Sequence, residues 1–161
     1  MYCPFCRTEL TVKKVKERDV QSCSACGYLN WENPIPVATG LLLKGDKVVL
    51  VKSRTRGNRW CFPSGFIEEN EKAEDALIRE VKEETNLNVS IINALGTYPI
   101  DTGRKKILLI AYEAIIKDGE FSSSSEISEI DEFTPDVALN MLDGKEERSI
   151  LENWKKRNYL K

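Results

Sequence analysis

Apolar positions come first in this chain as short runs and later at helical spacing. Val37 to Leu43 is apolar and β-branched at its start, Lys44-Gly45-Asp46-Lys47 is polar, and Val48 to Val51 is apolar again. Two such runs joined by a glycine-containing turn predict a β-hairpin. Asn88 to Ile92 and Lys106 to Ile116 predict further strands, the second long and nearly continuous, with Asp101-Thr102-Gly103-Arg104 as a turn joining strand material on either side. From about Glu74 to Thr85 the rhythm becomes helical. Leu77, Ile78 and Val81 form an apolar side, and Glu80, Glu83 and Glu84 lie round the other. Asp118 to Ser125 reads as a turn and serine-rich loop, and Ile130 to Phe133 as a last short strand. Pro135 suits a first helical turn and opens a short helix from Asp136 to Leu142, which Gly144 ends. Lys145 to Tyr159 predicts a C-terminal helix with Ile150, Leu151 and Trp154 as its apolar stripe. Upstream, Trp31-Glu32-Asn33-Pro34-Ile35-Pro36 reads as a connector, because its two prolines oppose regular pairing.

The polar side of the predicted helix carries the strongest chemical signal. Glu80, Glu83 and Glu84 stand at i, i+3 and i+4 and so share one face. Like charges at that spacing repel by a few tenths of a kcal/mol per pair. A hard divalent cation would turn the repulsion into binding, since Mg²⁺ and Mn²⁺ prefer carboxylate oxygen. A solvated acidic face is the plainer alternative. The surrounding residues bear on the choice. Gly65, Glu71, Arg79, Glu80, Val81, Glu83, Glu84 and Leu87 fall at the positions of G-x(5)-E-x(7)-R-E-U-x-E-E-x-G-U, where U is a bulky aliphatic residue. Asn86 replaces the second glycine, and Asn is the second choice to Gly for a left-handed residue at a helix C-terminus. Gly57, Trp60, Pro63 and Gly65 match a G-x-W-x-x-P-G-G approach, with Ser64 in place of its first glycine.

This constellation resembles the Nudix box. The resemblance implies an α+β protein with an α/β/α sandwich around a mixed sheet, spanning residues 34 to 161 with the C-terminal helix. It implies hydrolysis of the diphosphate linkage in a nucleoside diphosphate derivative, with Mg²⁺ or Mn²⁺ on Glu80, Glu83, Glu84 and the Gly65 carbonyl. Arg79 and Glu71 are expected to pair and hold the loop to the helix. A late-loop glutamate serves as base or completes the metal site in many members, and Glu126 is favoured over Glu129 for that part. The C-x-x-C pairs Cys3/Cys6 and Cys23/Cys26, followed by Asn33-Pro34-x-Pro36, resemble the family's zinc-ribbon branch, which includes the NADH pyrophosphatases, but that subgroup's S-Q-P-W-P-F-P-x-S signature is absent from Leu87 to Arg104. ADP-ribose or an FAD-like dinucleotide is therefore expected ahead of NADH, and other nucleoside diphosphate derivatives remain open. A homodimer is also open. The alternative function is a nucleotide-sensing or binding module whose ribbon contacts protein or nucleic acid; the intact box glutamates favour the enzyme.

Cys3-Pro4-Phe5-Cys6 and Cys23-Ser24-Ala25-Cys26 form two C-x-x-C knuckles separated by sixteen residues. Four thiolates at this spacing suit a structural Zn²⁺ in a ribbon of residues 1 to 33, with Lys13 to Asp19 at its hairpin tip. Disulfides are the alternative, and the lack of an N-terminal signal pattern argues against them and for the cytoplasm. Cys61 reads as a packed side chain. The absence of histidine excludes Cys-His nucleophilic catalysis. Lys52, Arg54, Arg56 and Arg59 crowd the loop before Trp60; they are either solvated or phosphate contacts, and Arg54 and Arg59 are the nominated substrate ligands. A net charge of −2 speaks against nucleic acid as a partner. No apolar run reaches the roughly 20 residues of a membrane span. Tyr98, Phe62 and Tyr112 are expected in the core rather than stacked on a base.

Overall fold

The computed structural model describes residues 1–103 and 105–159, so Arg104 of the expected turn lies outside the described residues. Contacts divide the chain into Met1–Pro34 and Ile35–Lys161.

In the first unit, β1 (Thr11–Val15) and β2 (Arg18–Ser22) form a hairpin with Lys16 and Glu17 at its tip, and β3 (Leu29–Asn30) pairs with β2. Each knuckle closes the same way. The Arg7 N–H donates to the Cys3 carbonyl at 2.9 Å and the Gly27 N–H to the Cys23 carbonyl at 3.0 Å, with both closing residues at positive φ, 61° and 77°.

The second unit is built on a mixed sheet. Its strands are β4 (Ile35–Lys44), β5 (Lys47–Ser53), β6 (Arg59–Cys61), β7 (Ser64–Phe66), β8 (Asn88–Asp101), β9 (Lys106–Asp118) and β10 (Ile127–Phe133). The spatial order is β10-β5-β4-β9-β8, with β6 added to β5 and β7 to β4. The β4–β9 pair is parallel and the others are antiparallel. Helix α1 (Ala73–Thr85) covers one face, where Ala76, Leu77 and Val81 pack on Ala38, Leu42, Val49 and Ala114. Helices α2 (Pro135–Met141) and α3 (Lys145–Tyr159) cover the other, where Ala138, Ile150, Leu151 and Trp154 pack on Leu41, Leu43, Val48, Leu50 and Phe62. Alternate residues of β4 and β5 thus serve opposite layers, which explains why both strands read as unbroken apolar runs.

Several sequence expectations need correction. Ile78 is 40% exposed, and the buried positions of α1 are Ala76, Leu77, Val81 and Thr85. A step of about 100° from Leu77 carries Ile78 off that face. Pro36 lies inside β4, one residue from its start, where antiparallel pairing to β7 begins only at Val37. The missing N–H therefore falls near a strand end, where proline is tolerated. Strand β8 continues past Ile92 to Asp101, with irregularities between Ile91 and Asn93 and between Ala94 and Gly96 that break the alternation. Helix α2 ends at Met141 with Leu142 as its cap, and Gly144 instead precedes α3, its carbonyl accepting from the Arg148 N–H at 2.9 Å. Asn86 sits at φ 62°, and its N–H donates to the Lys82 carbonyl, closing α1 as a left-handed cap.

Candidate active site

The acidic face of α1 meets strand β7 at Gly65, where the Glu80 carboxylate occupies the space of a side chain. A Cβ on Gly65 would lie 1.9 Å from Glu80 Cδ, so any larger residue would displace the Glu80 carboxylate from this position. Arg79 organises the neighbourhood. Its Nε and one terminal nitrogen donate to Glu71 at 2.8 and 2.9 Å, and that nitrogen also reaches the Phe66 carbonyl at 3.0 Å. The other donates to Glu80 at 2.8 Å and Glu83 at 3.3 Å. Glu71 also accepts from the Glu68 N–H at 2.9 Å, which ties the loop before α1 to the helix.

A cavity of about 330 Å³ opens beside this network, and Gly65, Glu80, Glu84, Glu126 and Arg56 all line it. One oxygen of Glu84, Oε2, is buried without a hydrogen-bond partner among the described residues. Burial first, and the Glu80 charge second, push the Glu84 carboxyl up to about 7, with Glu126 acting in the same sense. Glu83 lies on the exposed side of Arg79 and does not line the cavity. Among the described residues, the three helix carboxylates do not form a close ligand set, whereas the cysteines do. Repulsion among the acids and the pull of Arg79 on Glu80 and Glu83 account for the spread.

Of the other nominated residues, Glu126 reaches the cavity and Glu129 does not; Glu129 pairs with Lys52 at 3.0 Å. Arg54 donates to the Ser124 carbonyl and, at 2.8 Å, to that of Ile127, so it clamps the loop that carries Glu126. Arg59 is exposed and lies 3.7 Å from Asp143. Neither borders the cavity, and Arg56 takes the place expected of them. The one sign of Arg56 in the sequence was its membership of the basic loop. Its partner Glu147 comes from α3, 91 residues away, and gave no local signal. Phe62 and Tyr112 are buried, and Tyr98 packs against the core. Phe66, also unforeseen, is 53% exposed at the cavity rim. Cys61 is buried, donates to the Val51 carbonyl at 3.6 Å, and is pushed up to about 12 by burial, as suits a packed thiol.

In the first unit, all four cysteine sulfurs lie within 4.8 Å of one another, with Cys3–Cys26 at 3.5 Å and Cys6–Cys23 at 3.4 Å. These separations exceed the ~2.05 Å of a disulfide. They approach the edge of roughly 3.8 Å expected for a tetrahedron with zinc–sulfur bonds of ~2.3 Å.

The shifted carboxyls give a pH prediction for chelator-treated protein. Glu84, and Glu147 by burial, hold protons in the folded state that the unfolded chain has released above its ordinary carboxylate value. Stability therefore falls as pH rises from about 4.5 through about 7. Glu71 has the opposite sign. Its bonds to Arg79 hold it down to about 2, so its contribution is present above the unfolded value and lost as pH falls towards 2. Thermal scans of metal-free protein should give a lower Tm near pH ~8 than near pH ~5.5. An equal or higher Tm at the upper pH would contradict the burial of Glu84.

A model of the NUDIX domain matches residues 34–154, and the chain belongs to the Nudix hydrolase family. The ADP-ribose pyrophosphatase of Methanocaldococcus jannaschii is 30% identical over 125 residues, covering 75% of this chain and 71% of that protein. The NAD-capped RNA hydrolase NudC of Pseudomonas fluorescens is 32% identical over 97 residues, 60% of this chain, which spans only 34% of that relative's length. The crystal structure of a NUDIX hydrolase from Nitrosomonas europaea superposes with a TM-score of 0.83 at 21% identity, covering 99% of this chain and 92% of that one. That likeness establishes the shared fold. No described helix is long and apolar enough to cross a membrane.

Proposed function

We propose that this chain is a divalent-metal-dependent hydrolase that cleaves the diphosphate linkage of a nucleoside diphosphate derivative, with ADP-ribose or an FAD-like dinucleotide as substrate. The observation that carries the reading is Glu84 Oε2, a buried carboxylate oxygen with no partner among the described residues, in a cavity shared with Glu80, Glu126 and Gly65. A hard cation fits such an oxygen-only donor set. Glu80, Glu83 and Glu84 would hold Mg²⁺ or Mn²⁺ with the Gly65 carbonyl. Bound there, a divalent ion would neutralise diphosphate charge and lower the pKa of a water. Glu126, in the cavity lining, would accept the proton of the attacking water. Arg79 and Glu71 keep Glu80 and the Phe66 backbone in register, the second layer that fixes ligand geometry. Phe66 offers a ring face to a base. Zn²⁺ on Cys3, Cys6, Cys23 and Cys26 would be structural, and residues 1–33 and 34–161 serve as ribbon and hydrolase domain.

The substrate assignment draws on the missing NADH signature and on the ADP-ribose pyrophosphatase relative. Specificity lies in loops outside the box, which supplies the shared chemistry. We expect kcat/KM for ADP-ribose or FAD to exceed that for NADH when all are measured with one metal. NADH leading by about tenfold, roughly 1.4 kcal/mol of transition-state binding, would reverse the assignment.

A further inference from the structure

We infer that Arg56, held in place by Ser64 and Glu147, grips the phosphate next to the nucleoside and so joins the carboxylate cavity to a neighbouring apolar pocket. The inference rests on the proposed reading of the site as a diphosphate hydrolase. A second cavity, of about 290 Å³, has walls that include Val37, Ile100, Ile107 and Leu109. It shares Arg56, Ser64, Gly65 and Phe66 with the carboxylate cavity. A molecule with an apolar ring in one cavity and its reacting phosphate in the other must pass this shared wall. A diphosphate bridge is the part that crosses, and among the described residues Arg56 is the cation that both cavities share.

Arg56 is held at both ends of its guanidinium. One terminal nitrogen lies 3.4 Å from Glu147 Oε1, and the other donates to Ser64 Oγ. Glu147 is fixed in turn by the Phe62 N–H at 3.2 Å. These contacts use two of five guanidinium N–H groups, and the side chain stays 43% exposed, so donors remain for a planar, bidentate grip on phosphate. Ser64 stands where the family's approach motif has glycine. A glycine there would leave Arg56 only the longer contact with Glu147. The serine hydroxyl is this chain's own positioning device.

The test compares binding of AMP and adenosine by the full chain in Mg²⁺ buffer, where AMP offers no diphosphate to cleave. Adenosine binding checks that each variant keeps its pocket. Arg56→Gln should lower the ratio of AMP to adenosine affinity by at least about tenfold, the scale of a charge-assisted hydrogen bond. Arg56→Lys should recover only part of it, and Ser64→Gly should lower it about threefold. Equal losses for both ligands in Arg56→Gln would show a structural role and overturn the inference. So would an unchanged ratio in either Arg56→Gln or Ser64→Gly, or failure of the wild-type protein to bind AMP. A protein that hydrolyses no diphosphate yet shows the Arg56-dependent ratio would sink the proposed reaction and keep this contact.

Discussion

Glu84→Gln lowers turnover at saturating Mg²⁺ by at least ~100-fold, the scale of losing a principal electrostatic element of a site. Glutamine keeps the size of the side chain and removes the charge that a cation would need. The same change has the opposite effect on stability. In the metal-free protein Glu84 is half-buried, its Oε2 has no partner among the described residues, and the carboxyl is pushed up to about 7 by burial and by Glu80. A neutral amide escapes that penalty, which at pH values above 7 is about 3 kcal/mol. The variant should therefore melt no lower than wild type in chelator while losing activity in Mg²⁺. A drop in both would mark Glu84 as a structural residue, and near-normal turnover would remove it from the reaction.

Cys3→Ser abolishes stoichiometric zinc and opens the N-terminal unit. A unit of Met1–Pro34 is too small to bury a sufficient core. Its buried hydrophobic residues are Cys3, Val20 and Cys23, two of them cluster thiols. A structural zinc site contributes on the order of 10 kcal/mol to such a module, so its loss outweighs every other contact there. Elemental analysis should find one zinc per wild-type chain and none in the variant, and trypsin should cut the Lys13–Arg18 hairpin about 100-fold faster in the variant. Full zinc occupancy without Cys3, or a zinc-free wild-type protein, would refute the assignment.

The parts of this molecule that were legible in the sequence are those set by local spacing. The acids of α1 declare their common face because helical geometry places i, i+3 and i+4 together. Asn86 adopts the left-handed cap that its substitution for glycine suggested. The paired knuckles bring four sulfurs together as their spacing implied. The hidden parts are those set by tertiary approach or by local irregularity. Arg56 could not be ranked above Arg54 and Arg59, because the difference lies in distant partners. Glu147 from α3 holds Arg56, whereas the Ser124 and Ile127 carbonyls engage Arg54. The second half of β8 was obscured by bulges that disrupt its period of two, with Gly96 at φ 116°. Ile78 was misplaced because an apolar residue beside a buried face resembles one within it.

If the carboxylate cavity of Glu80, Glu84 and Glu126 uses a divalent metal to split a nucleoside diphosphate derivative, hydrolysis must depend on that metal. The most direct measurement follows ADP-ribose with chelator-treated protein as Mg²⁺ is titrated from zero, separating products by chromatography. The account predicts AMP and ribose 5-phosphate in equal amounts, absent without metal and rising to saturation with it. Product formation that is indifferent to metal, or an intact diphosphate at every metal concentration, would contradict it.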